Sequence, residues 1–77
     1  MTKTQALEML RVAACGRGMT LDMMANRSGL YPSRIARMLE GKEYCSDADL
    51  RLIAKCLGYT VSFARVTDCV FRLADNG

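Results

Sequence analysis

The chain has no histidine and no tryptophan, and a single proline in 77 residues. Without histidine it lacks the commonest general base and metal ligand at neutral pH. No paired-carboxylate spacing and no phosphate-cradling glycine loop takes its place, so no catalytic site assembles and no enzyme activity is expected. Cysteine is present four times, as Cys15, Cys45, Cys56 and Cys69. The spacing is wide and irregular, with no Cys-x-x-Cys pair, which is poor for zinc. Four reduced thiols are expected, with Cys56 acting as a small apolar residue, against the alternatives of a disulfide or an all-cysteine metal site. No metal and no cofactor is called for. Aromatic residues make up 6% of the chain, so the core must come from Leu, Ile, Val, Met and Ala, which favours closely packed helices. No apolar run approaches the roughly 20 residues that cross a bilayer, and the N-terminus lacks the basic-then-apolar order of a signal peptide. The expected compartment is the cytoplasm, with no membrane partner.

What is present is an ordered composition, 51% apolar and 25% charged, at a length that supports one domain with one small core. The net charge is only +3, but it is concentrated. Residues 17 to 42 hold Arg17, Arg27, Arg34, Arg37 and Lys42 against Asp22 and Glu40, and everything outside this segment sums to zero. Such a cluster is the electrostatic footprint that phosphate binding requires, although a solvated basic face has the same composition.

Taken in order, Thr2 and Gln5 have capping-box spacing ahead of Leu7, Leu10 and Ala14, which gives a first helix stopped by Gly16 and Gly18. Arg17, between those glycines, is expected in a loop facing phosphate. Met9 and Val12 fall off the apolar stripe, as rim contacts or exposed residues. A second helix runs from about Leu21 to Arg27, capped by Thr20, with Asp22 in its first turn. Ala25 is small where a short turn brings two helices close, and Gly29 supplies a left-handed turn plugged by Leu30. Pro32 opens a third helix behind Tyr31, a poor cap whose hydroxyl reaches outward. Burying Ile35, Met38 and Leu39 turns Ser33, Arg34 and Arg37 onto the opposite face. Gly41 ends this helix. Ser46 and Asp49 begin a fourth, with Leu50, Ile53, Ala54 and Leu57 on one stripe up to Gly58. The period then changes to alternation, which predicts a β-strand over 59–66. Two ways of satisfying its edges stay open and are compatible. One is pairing with the same strand of a second copy, through Tyr59, Val61, Phe63 and Arg65; the other is a local hairpin that turns at Thr67-Asp68 into residues 69–74. Asp75-Asn76-Gly77 is expected to fray.

The run from Gly18 to Lys42, followed by Leu50-Arg51-Leu52-Ile53-Ala54-Lys55-Cys56-Leu57-Gly58, resembles the Cro/CI (XRE-type) helix-turn-helix family of phage and bacterial regulators. The resemblance covers about residues 5 to 58, and Ala25, Gly29, Ile35, Leu39, Gly41 and the Ile53-to-Gly58 ending carry it. It implies a mainly α, lambda-repressor-like bundle of four or five helices (1–58) that binds operator DNA as a homodimer, and a C-terminal strand and tail (59–77) that serve dimerisation. By position, Ser33, Arg34 and Arg37 match base-reading residues. Thr20, Tyr31 and Lys42 match residues that touch phosphate, and Arg17 and Tyr44 join that set. Leu21 and Met23 replace polar residues common in the family, so that Leu21 offers contact to a thymine methyl. Glu40 is expected to hold Arg37.

Two functions follow from the resemblance. The first is a small repressor that reads an inverted repeat of double-stranded DNA, with the third helix in the major groove. The second is the antitoxin of a toxin–antitoxin pair, with Met9, Val12 or the tail as the surface for a partner toxin.

Overall fold

A computed structural model describes residues 2–65 and 68–73. The chain forms α1 (Lys3–Gly16), α2 (Leu21–Ser28), α3 (Pro32–Leu39) and α4 (Asp47–Cys56), followed by β1 (Tyr59–Arg65) and β2 (Asp68–Leu73). The protein is mainly helical and compact. No described helix is long and apolar enough to cross a membrane.

Each helix starts where its side chains can satisfy free backbone donors. The Thr2 hydroxyl accepts from Gln5 N at 3.2 Å and Gln5 Oε1 accepts from Thr2 N at 2.9 Å, a complete capping box. Thr20 accepts from Met23 N at 3.2 Å and Ser46 from Asp49 N at 3.1 Å. Tyr31, ahead of Pro32, makes no side-chain cap. Gly29 takes the left-handed conformation at φ 78° and bonds Ala25 O at 2.8 Å, reversing the chain between α2 and α3. Gly41 does the same after α3, at φ 76°. There the Lys42 N–H reaches back to Arg37 O at 2.8 Å and Gly41 N–H to Met38 O at 3.1 Å, the two bonds of a Schellman motif. The loop that follows is thereby tied to the last turn of α3.

The inward stripes meet in one core. Leu10 of α1, Met24 of α2, Ile35 and Met38 of α3, and Leu50 and Ile53 of α4 are fully buried, with Leu57 just after α4. Met9, Ala13, Ala25 and Leu30 pack at its margin. Val12 lies outside it, 56% exposed. Because α2 and α3 pack directly across the Gly29 turn, Ala25→Leu should force them apart at a cost of about 1–3 kcal/mol; an unchanged thermal melt would show that the turn does not bring them that close.

The C-terminal segment corrects the picture of a strand without a partner in its own chain. β1 pairs antiparallel with β2, from Tyr59 opposite Leu73 to Arg65 opposite Asp68, with an irregularity between Phe63 and Arg65. The local hairpin is therefore formed, with β2 beginning at Asp68, one residue before the expected 69. Val66, Thr67 and the tail from residue 74, expected as strand end, turn and frayed terminus, lie outside the described residues. α4 packs on β1 and α1 on β2. Val61 is 8% exposed and belongs to the core, and Tyr59 packs against it. The alternation matches β1, but the face it defines is covered first by the chain's own helices. The side chains of Phe63 and Arg65 lie outside the description.

Candidate nucleic-acid interface

α3 is the most one-sided of the helices. Ile35, Met38 and Leu39 are buried, while Ser33 and Arg37 are exposed on the far side and Arg34 is half-buried between. Eight residues hold both faces because the 3.6-residue period sends positions 35, 38 and 39 one way and 33 and 37 the other. Tyr31 stands at the entry to the helix, 76% exposed, and Tyr44 beyond its end, 78% exposed. With no side chain capping α3, its first-turn N–H groups remain open to an acceptor such as phosphate.

The two arginines of this face share one carboxylate. Arg34 Nε donates to Glu43 Oε2 at 2.7 Å and Arg37 Nε donates to Glu43 Oε1 at 2.8 Å. A second bond runs from Arg34 Nη2 to Asp49 Oδ2 at 2.9 Å, across to the first turn of α4. Asp49 thus spends its backbone N–H on the Ser46 cap and its carboxylate on Arg34. The Arg34 and Arg37 guanidinium groups hold the Glu43 carboxyl below its ordinary range, and Glu43 and Asp49 raise the Arg34 guanidinium further. Glu40, expected to restrain Arg37, pairs instead with Lys42 at 3.0 Å. The Gly41 turn carries Glu43 back over α3, which puts the later acid nearer the arginine.

The remaining expected residues separate. Thr20 and Lys42 are exposed on the flanks of the α2–α3 unit, Lys42 within its pair to Glu40. Tyr44 lies beneath Lys3, whose Nζ is 5.0 Å from the ring centre. Arg17 is turned elsewhere. Its Nη1 donates to Leu57 O, and its guanidinium lies 5.5 Å from the Tyr59 ring centre. Arg27 Nη1 donates to Cys56 O at 3.2 Å. These two arginines serve the end of α4, where backbone carbonyls lack helical partners and carry the negative end of the dipole. Nothing in the sequence spacing connects either residue with that end.

The chain matches no family model, no curated protein and no solved structure. The site is therefore argued from its own geometry.

Leu21 and Met23, both on α2, are exposed at 39% and 40%. The three described cysteines are free. Burial pushes the Cys45 thiol up to about 11 and also raises Cys56, while Cys15 is exposed. Cys45 and Cys56 are inert at neutral pH; Cys69 lies outside the side-chain description.

Glu43 also makes the site sensitive to acid. Its carboxyl is depressed from 4.5 in the folded chain, so its contribution is present above the unfolded value and is lost as pH falls through the folded one. Its stabilising contribution should begin to decline below about pH 4.5, and the 41–45 loop should loosen from α3 only as pH falls through the lower, folded value. In Tm measured against pH, Glu43→Gln should flatten that part of the curve; parallel curves for the two proteins would place the acid sensitivity elsewhere.

Proposed function

We propose that the chain is a sequence-specific DNA-binding transcriptional regulator, a small repressor of phage or bacterial type with the lambda-repressor-like arrangement that its sequence resembles. The observation that carries this reading is the division of α3. One face is locked into the core, and the other presents Ser33 and Arg37, with Arg34 beside them, at the entry marked by exposed Tyr31. A helix held that way can enter a major groove, where an arginine fork matches guanine O6 and N7. Thr20, Tyr31 and Lys42 flank it at positions suited to backbone phosphates.

In this reading the protein acts as a homodimer on an inverted repeat. The hairpin supports that arrangement, since a two-stranded sheet has outer edges that a second copy can extend. With Val61 in the core, main-chain pairing at an edge would carry more of the contact than the Val61 side chain. Two copies of α3 would then meet successive major grooves roughly 34 Å apart.

Selection of bound duplexes from a random pool tests the reading, with recovery of a symmetric site as the expected result. Affinity should fall with salt at a log–log slope near −0.9 per phosphate neutralised. A pool without enrichment, or binding indifferent to salt, would reject it.

A second reading, an antitoxin whose domain also grips a toxin, draws on exposed Val12 and on the groove between α1 and the end of α3, lined by Thr4, Gln5, Leu7, Glu8, Leu39 and Glu40. Co-purification with a genetically adjacent protein at stoichiometric yield would favour it; recovery of the chain alone would count against it.

A further inference from the structure

Glu43 is a built feature of the α3 face. On one side its backbone follows the Gly41 turn, fixed by the Lys42 N–H to Arg37 O bond; on the other it precedes Cys45, whose side chain is 3% exposed in the core. The carboxylate between these anchors places one oxygen on Arg34 and the other on Arg37. Two oxygens spanning two guanidinium groups is also how a nucleic-acid phosphate binds a pair of arginines.

The two arginines are held differently. Arg34 is gripped at two nitrogens, by Glu43 and Asp49, which fixes it to α4. Arg37 is gripped only at Nε, and among the described residues its Nη1 and Nη2 have no protein partner. A base edge can therefore be met by the outer end of Arg37 without breaking its bond to Glu43. A phosphate that bridges the two arginines at their Nε edges has to displace the carboxylate.

Building on the nucleic-acid reading above, we propose that Glu43 is the positioning and specificity-determining residue of this surface. It occupies as an internal carboxylate the place of a phosphate, suppressing contact with random sequence while it aims Arg37 at a base. Asp49 supports it by keeping Arg34 on α4. Neither acid touches the base edge, and both act through the arginines.

The test titrates the wild-type chain and the Glu43→Gln, Glu43→Ala and Glu43→Asp variants against three probes: a random-sequence duplex, the duplex best recovered by selection, and heparin. Thermal melts confirm that each variant is folded. Glu43→Gln, nearly isosteric but uncharged, should bind the random duplex and heparin about fivefold more tightly per protomer, the scale of one exposed ion pair. Its affinity for the selected duplex should change less, so its discrimination falls. Glu43→Ala should shift random binding the same way, and Glu43→Asp, which keeps the charge, should remain near wild type. Equal affinities of wild type and Glu43→Gln for the random duplex and heparin would overturn the proposal. A uniform loss on all three probes would also overturn it, by making Glu43 a support of the loop alone. If wild type prefers no duplex sequence, the nucleic-acid reading falls and the specificity role with it; the heparin titration then decides whether Glu43 shields the two arginines from polyanions.

Discussion

Ile53→Ala should lower the unfolding free energy by about 2–5 kcal/mol, one of the two largest effects expected of a single substitution in this chain. Ile53 is fully buried on α4, in the same cluster as Leu10 of α1, Met24 of α2 and Ile35 of α3. Removing three side-chain carbons there takes contacts from several elements at once, and helices fixed by their caps can close only part of the cavity. A domain of this size has a total stability on the order of 5–15 kcal/mol, so the loss takes a large share. Each kcal/mol moves Tm by roughly 4–8 °C in a domain of 60–100 residues, which predicts a fall of at least about 8 °C. A melt within a few degrees of wild type would mean that Ile53 does not sit at the centre of the core.

The other large effect belongs to Arg37. Arg37→Ala should weaken binding to the selected duplex by about 1–3 kcal/mol per half-site, the worth of a good bidentate arginine–guanine pair, and should relax the preference at one base position. Binding to random duplex should fall less, because no specific base contact is lost there, only the phosphate contact open to the outer end of Arg37. Lys42→Ala should weaken every sequence about equally and reduce the salt slope by about one contact per protomer. Competition titrations on selected and random duplexes separate the two. If both variants lose the same factor on both DNAs, the division between base reading and phosphate binding is wrong. Arg34→Ala should differ from both by also lowering Tm, because Arg34 ties α3 to Asp49 on α4.

Most of the helical part was legible because its signals are local. Thr2 with Gln5, Thr20, Ser46, Gly29 and Gly41 act within one turn of where they stand, and the periods of Leu7–Leu10–Ala14 and Leu50–Ile53–Leu57 need only geometry. The ion pairs were not legible, because choosing a partner requires the docking of distant elements. Arg37 had acids three and six residues away in Glu40 and Glu43, and only the left-handed turn at Gly41 decides for the second. Arg17 reaches Leu57 and Arg27 reaches Cys56 across forty and twenty-nine residues, with nothing in spacing to announce either. The alternation after Gly58 announced a strand and its two faces. It did not say what would cover them, because an apolar strand face has the same composition against its own core as against a second copy.

The seating of Arg17 and Arg27 on the last carbonyls of α4 also bears on how force and motion pass through the molecule. The hairpin starts two residues after Leu57, next to the point where both arginines are fastened. One arginine comes from the end of α1 and the other from the last turn of α2, so the junction is braced from two directions, like a mast held by stays. A partner that engaged the hairpin would therefore pull on the helical body through a stiff coupling and not through a loose tether. In a dimer joined by its hairpins, that stiffness would turn the separation of the two α3 helices into a fixed ruler laid along the DNA.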